Sequence, residues 1–478
     1  MEKHVRIENI SSAALETAAL GGSISTQKGT TSDLFDKKIS NDIDKNESLI
    51  EKVVSSGHMS ILEHITFSLL LTNVSVCVEE FFIEHRLASF TVKSRRYVDF
   101  ANAGFYIPNE FKEDDRLGEI YENNMTDLFN SYGKLIELGV PKEDARFLLP
   151  YSFHDNFVCT VNAREAIHIV EDLYNTGRQQ AHMVGREIEE CENEYLNLYI
   201  EIMVELKLKL PVIHDILAER IKKIHLEFIE DTVPFVRDND VKFVSYTDDL
   251  DALVRARSIA CEAYGSSVRQ QDRGTVHTNL SVPTSVRLKI NSGNYGIYDN
   301  PRIYEFINCY IDIQDISLPT LTHFVRHRMQ SIIVPRLDQI TSNSFIIPNS
   351  IITNKEALGI YMNAINDNDT VIHCIDADII RLPWVRQYFL LSANTVDIST
   401  CMNARELKIF MQLRTCNRAY WETKYFADEI LRQLRLSDPL FREFGPSCFV
   451  SGRCPEGKLC CGKQKDVYDR YYDRVLDV

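Results

Sequence analysis

Apolar residues along this chain run through two periods, and the same succession occurs twice. In the first pass, residues 47–55 have helical apolar spacing. Residues 65–78, rich in Thr, Val, Ser and Leu, alternate loosely and predict a strand or two. Residues 79–89 return to helical spacing, and the chain is then extended as far as Phe105-Tyr106-Ile107-Pro108. Residues 115–138 predict an amphipathic helix stopped by Gly139 and Pro141. Pro141 and the acids behind it start another helix. Residues 157–161 read as a strand and residues 162–208 as mostly helix. Ahead of all this lie a small-residue segment, 11–25, and a polar stretch, 28–46, that reads as a loop or a weak helix. Residues 209–239 form the bridge to the second pass, with a helical piece bracketed by Pro211 and Pro234. There, 241–246 predicts a strand, 250–264 a helix, 265–284 a polar loop, and 304–316 a strand region like 65–78. A helix over 318–331 follows, then an extended Phe345-Ile346-Ile347-Pro348 that matches residues 105–108, and a last long helix from Asn403 to about residue 436.

The two passes also match in detail. Glu84-His85-Arg86-Leu87-Ala88-Ser89 is echoed by Arg326-His327-Arg328-Met329-Gln330-Ser331, 242 residues later from His85 to His327. Asn162-Ala163-Arg164-Glu165 is echoed by Asn403-Ala404-Arg405-Glu406, 241 residues later. Two separate matches at nearly one offset indicate a fold present twice. The expected class is α+β: two tandem copies, each a central sheet flanked by long helices. The expected extents are 1–210 for the first copy, 211–240 for a linker, and 241–478 for the second copy with its Cys-rich tail.

The net charge of −16 argues against general nucleic-acid binding, which needs a basic surface. It leaves room for a small anion held by a local Arg cluster. No apolar run reaches the ~20 residues that span a bilayer. The charged start lacks an apolar leader core, and the twelve cysteines form no even framework, so the expectation is a cytoplasmic protein with reduced thiols and no membrane partner. Cys448, Cys454, Cys460 and Cys461 crowd the tail. Their spacing fits no standard zinc set, so a turn-forming segment is the first reading and a metal site the second.

His323, Arg326, His327 and Arg328 bring cations into about one turn. Arg forks bind phosphate oxygens bidentately, so a phosphate or pyrophosphate site is one reading and a salt-bridge cluster the other. His58, Ser60, Glu63 and His64 do not have the HExxH spacing of a zinc helix, and no metal is assigned.

Taken together, these motifs resemble the flavin-dependent thymidylate synthases: Arg-His-Arg followed by Ser, a later Ser-x-Arg-Tyr (Ser94 to Tyr97), an upstream His-x-Ser-x-x-Glu-His (His58 to His64), and Asn-Ala-Arg-Glu downstream. The resemblance implies reductive methylation of dUMP to dTMP, with methylenetetrahydrofolate as carbon donor, FAD as cofactor and NADPH as reductant. By the same resemblance, Arg326, His327 and Arg328 contact FAD, as do His58, Ser60 and Glu63, with Asn403 and Arg405 as further flavin contacts. Ser94, Arg96, Arg146, His323 and Arg414 contact dUMP, and Arg96 and Arg414 are the candidates for catalysis.

The pattern is divided between the copies. Copy one has Glu84 where copy two has Arg326, Leu173 where copy two has Arg414, and Val92 where the family pattern has an acid. Copy two has Arg336-Leu337-Asp338 where copy one has Ser94-Arg95-Arg96, and Val334 at the acid position. Arg386 is a weaker echo of Arg146, and of the His58 to His64 motif copy two keeps only Glu305. The losses are complementary. They imply one composite site drawn from both copies and, since four chains build the family's sites, a homodimer acting as a pseudo-tetramer. The alternative is a relative without turnover that binds nucleotide or flavin in a regulatory or structural role.

Overall fold

Strand β2 (Thr66–Ser75) and strand β4 (His154–Asn162) form the centre of the first sheet, and β4 keeps the two-residue period. Asp155, Phe157, Cys159 and Val161 are buried on one face of β4, and the residues between them are not. β1 (Val5–Glu8) flanks β2 and β3 (Ser89–Val92) flanks β4, giving the order β1-β2-β4-β3 with every pairing antiparallel. The computed structural model describes residues 3–24, 26–183, 192–224, 242–246, 304–305, 307–340, 344–437 and 439–472.

The second sheet has the order β5-β6-β8-β7, the same topology, from β5 (Lys242–Tyr246), β6 (Asn308–Ser317), β7 (Gln330–Ile333) and β8 (Thr395–Asn403). The duplication extends to single atoms. Asn73 and Asp315 both have φ of 51°. Their amides bond the side chains of Asn156 (3.2 Å) and Asp397 (3.0 Å). Ser75 and Ser317 each cap a helix, and each presents its amide and hydroxyl to a buried carboxylate: Glu194 at 2.7 and 2.6 Å, and Glu422, where the amide lies at 2.8 Å. Asn162 and Asn403 accept from the amides of Glu165 and Glu406, both at 2.9 Å, and so start their helices.

The compact units do not follow the repeat. The first comprises Met1–Phe235 with Arg336–Thr395; the second comprises Val236–Pro335 with Val396–Val478. The long helix Lys355–Cys374 explains the crossing. Its apolar face, with Tyr361, Ala364 and Ile365, packs along the helix Asp115–Glu137, where Tyr121, Met125 and Tyr132 are buried. Asn124 donates to Asn368 across that pair at 2.8 Å. Beside it, the amides of Ser392 and Ala393 donate to the carbonyls of Leu149 and Phe147 at 3.0 and 2.9 Å. The first unit's core otherwise lies between its sheet and the helices Ala163–Met183, Glu194–Lys209 and Pro211–Ile221.

Several expectations need correction. The helix expected over 318–331 ends at Val325. The Gln330 side chain donates to the Phe324 carbonyl at that end, and Gln330–Ile333 pairs with β8 instead. The helix expected from Asn403 to about 436 is two, Ala404–Arg414 and Trp421–Ser437. Thr415 is the C-cap of the first, and its hydroxyl donates back to Met411 O at 2.6 Å. Of the two readings of the polar stretch 28–46, the helix is the one present, as Thr31–Ile39, secured by a capping box between Thr30 and Asp33. The helix expected after Pro141 is a single turn, Lys142–Ala145, continued as 3-10 over Arg146–Leu148. The helical piece expected in the bridge after Pro211 is present as Pro211–Ile221, and it buries Val212, Ile213, Ile216 and Leu217 in the first core. The helix and loop expected over 250–284 lie outside the described residues.

Candidate functional site

In the second unit, the turn after the helix Leu318–Val325 separates the residues of the Arg-His-Arg run. Arg326 and Arg328 are exposed, while His327 turns inward and is buried. His327 Nδ1 lies 3.0 Å from Glu406 Oε1. Its Nε2 lies 3.1 Å from Arg414 Nε, which can only donate. Nε2 must therefore carry the lone pair, and the proton sits on Nδ1, directed at the carboxylate. Arg414 Nη2 donates to the His323 carbonyl at 3.1 Å, and His323 Nδ1 meets Thr423 Oγ1 at 2.9 Å. The guanidinium is largely buried and, among the described residues, touches no carboxylate. Desolvation, with Arg326 adding repulsion, pushes its pKa down to about 10.

Burial is also the largest influence on His327, and it lowers the pKa. Glu406 opposes it, while Arg414 adds to it. The sign follows from that direction. The fold prefers the neutral ring, so this contribution to stability is complete above the ordinary value of 6.5 and is lost as pH falls through the lowered one. Urea unfolding between pH 8 and pH 5 should therefore show a steeper loss of stability in the wild type than in His327→Gln. Parallel profiles would contradict it.

In the first unit, Ser94, Arg96 and Arg146 are brought together by Glu143. Arg96 Nε donates to Glu143 Oε2 at 2.8 Å, and Arg146 Nε donates to the Glu143 carbonyl at 3.0 Å. The amides of Arg96 and Val98 bond Ser94 Oγ (3.4 Å) and Ser94 O (3.0 Å), so the stretch is a tight turn. Arg95 points the other way, buried between Glu79 and Asp155. His58, Ser60 and Glu63 lie exposed on and beside the 3-10 turn Met59–His64. Gly57, with φ of 92°, reverses the chain just ahead of it. Glu63 pairs with Arg164 at 2.6 Å, and Glu305 pairs with Arg405 in the second unit as its counterpart.

The positions that depart from the expected residue have partners within the chain. Arg336 is closed by Asp338, at 2.6 and 3.0 Å. Arg386 donates to the Ile340 carbonyl at 3.1 Å. His85 contacts Phe81 O and Asp172, and Leu173 is buried where the second copy has Arg414. Sequence reading missed Glu143, Glu406 and Arg95. A signal for the first existed in its spacing, three residues before Arg146. The other two depend on contacts that no local pattern reveals.

The Thy1 family model, described as thymidylate synthase complementing protein, matches residues 9–201 and again 244–440. This chain belongs to the flavin-dependent thymidylate synthase family. The enzyme of that name from Geobacter sulfurreducens is 35% identical over 25% of this chain and 53% of its own length. Those from Pyrococcus furiosus and Pyrococcus horikoshii are 32% and 34% identical, each over 34% of this chain and 68% of their own length. The matched segments thus span from about half to about two thirds of these relatives. Among solved structures, a UMP/dUMP methylase PolB from Streptomyces cacaoi bound with 5-Br dUMP aligns with 45% of this chain and 94% of that chain, at 21% identity and a TM-score of 0.37. This member of the thymidylate synthase family carries the family model twice, and both matches fall on the two sheets described above. No helix among its described residues is long and apolar enough to cross a membrane.

Proposed function

We propose that this chain is a flavin-dependent thymidylate synthase that methylates dUMP reductively to dTMP, using methylenetetrahydrofolate, FAD and NADPH. One observation carries the reading: the half-buried Arg414 meets an imidazole and one carbonyl, with no carboxylate contact among the described residues. A guanidinium held along one edge in this way suits an anionic ligand on the other. The nucleotide contacts on this reading are Arg414 of the second copy and Ser94, Arg96 and Arg146 of the first, where Glu143 holds both arginines. Guanidiniums beside the uracil favour negative charge developing on its oxygens where water is excluded.

The donor set also suits FAD. Arg326 and Arg328 are exposed cations on one turn, fitted to a pyrophosphate, and His58 and Ser60 offer exposed polar groups. Asn403 and Arg405 complete the flavin contacts. FAD supplies the hydride transfer, while the protein's residues bind and orient the reactants. We further infer one composite site from both copies, with copies at 1–210 and 241–478, a linker at 211–240, and a homodimer acting as a pseudo-tetramer. What supports this is the complementary retention of residues.

The test is tritium release from uracil-labelled dUMP with methylenetetrahydrofolate, NADPH and added FAD. Release that requires every component is the expected result. A specific observation favours a second reading: Glu84 stands exposed at the Arg326 position, and Arg336 is neutralised by Asp338. If the folded protein binds dUMP or FAD and releases no tritium, this is a binding protein without turnover.

A further inference from the structure

Glu406 and His327 are paired directly beside the Arg414 guanidinium. We propose that they are positioning residues, a carboxylate–imidazole relay that locks the Arg414 guanidinium in the orientation that receives the anionic substrate. The substrate class rests on the nucleotide reading above; the relay itself does not. Its geometry has one direction. Asn403 accepts from the Glu406 amide at 2.9 Å and fixes the first helical turn from which Glu406 projects. Glu406 Oε1 then accepts from His327 Nδ1 at 3.0 Å. That bond selects the tautomer whose Nε2 lone pair accepts from Arg414 Nε at 3.1 Å. Phe410 holds the imidazole from the side, with ring centroids 4.9 Å apart. The His323 carbonyl takes Nη2, and Nη1 makes no hydrogen bond with a described residue. The fork is therefore gripped along one edge, with its other edge left for a ligand.

The first copy is an internal control. It keeps the histidine, His85, and the carboxylate, Glu165, and has Leu173 in place of the arginine. There the two do not pair. Glu165 accepts from the Leu87 amide at 3.3 Å, and His85 presents its nitrogens to Phe81 O and Asp172 at 3.0 and 3.2 Å. The Glu–His bond is thus present where the guanidinium is present and absent where it is lost. A purely structural role would have kept it in both copies.

The test has two parts on the full-length chain. Nitrogen NMR of 15N-histidine-labelled protein at pH 7 should find His327 neutral with the proton on Nδ1. An Nε2-protonated ring or an imidazolium overturns the relay, whatever the protein binds. Calorimetric titration with dUMP then compares two amides. Glutamine at 327 carries an acceptor oxygen near the Nε2 position, whereas asparagine reaches only the Nδ1 position. His327→Asn should weaken dUMP binding about tenfold or more, and His327→Gln should restore most of it. Equal losses in both variants, or none, overturn the relay. If the wild type binds no dUMP, the nucleotide reading fails while the tautomer still decides the relay.

Discussion

Arg414→Ala is expected to lower kcat/KM for dUMP by about 10²- to 10³-fold, the scale of losing one charge-stabilising donor in a water-poor site. The reason lies in what Arg414 does not touch. Arg220 meets Glu171 and Arg432 meets Glu429, while the buried Arg435 is held by the carbonyls of Phe441, Arg442, Phe444 and Tyr471. Arg414 is half-buried, and its described partners are an imidazole and a single carbonyl. On the nucleotide reading, an anionic ligand supplies the remaining partner. Removing it should leave thermal stability within a few degrees of wild type, so the loss reads as function. Arg414→Lys should not rescue, because a point charge cannot donate to His327, to the His323 carbonyl and to a ligand in one plane. Steady-state tritium release against dUMP concentration measures this. An unchanged Michaelis constant and turnover in the alanine variant would sink the assignment.

The second large effect concerns stability. Arg95→Ala should cost about 3–5 kcal/mol, the usual penalty for breaking a buried ion pair from one side. Arg95 is 6% exposed, and its Nη2 serves Glu79 and Asp155, both at 0%. Phe153 faces the guanidinium at 5.4 Å. Burial raises the Asp155 carboxyl even against the pull of Arg95. Without the arginine, two buried carboxylates lose their counter-charge, and protonation is the way they can be accommodated. The deficit should therefore be largest near pH 8 and shrink toward pH 5. Urea unfolding of wild type and variant at both pH values tests this; a deficit under about 1 kcal/mol, or one that grows in acid, would refute the account. Because Arg95 sits between Ser94 and Arg96, the variant should also raise the Michaelis constant for dUMP where it remains folded.

Much of this architecture could be read in advance, for physical reasons. Strand β4 buries alternate residues, so its period is visible in the chain. The Asn of each Asn-Ala-Arg-Glu motif caps its own helix, a contact only three residues long. The helix expected over 318–331 failed because its stop depends on Gln330 reaching back to Phe324 and on the pairing of Ser331–Ile333 with β8, the latter a distant partner. The long helix from Asn403 is interrupted between Arg414 and Trp421, where Arg418 donates to the Leu459 carbonyl, a partner distant in the chain.

By itself the sequence determined the duplication, the family, and which arginines each copy retains, because these are matters of residue identity at a fixed offset. Only the tertiary structure decided what those residues do. It turned His327 inward while Arg326 and Arg328 stayed out. It set Glu143 between Arg96 and Arg146, and it placed Arg95 between two buried acids. It also assigned Arg336–Thr395 to the first compact unit rather than to its own copy. Each of these outcomes rests on contacts between residues far apart in the chain or on burial. An amphipathic helix states that it has an apolar face, and an arginine states that it carries a charge. Neither states which surface or which carboxylate will meet it.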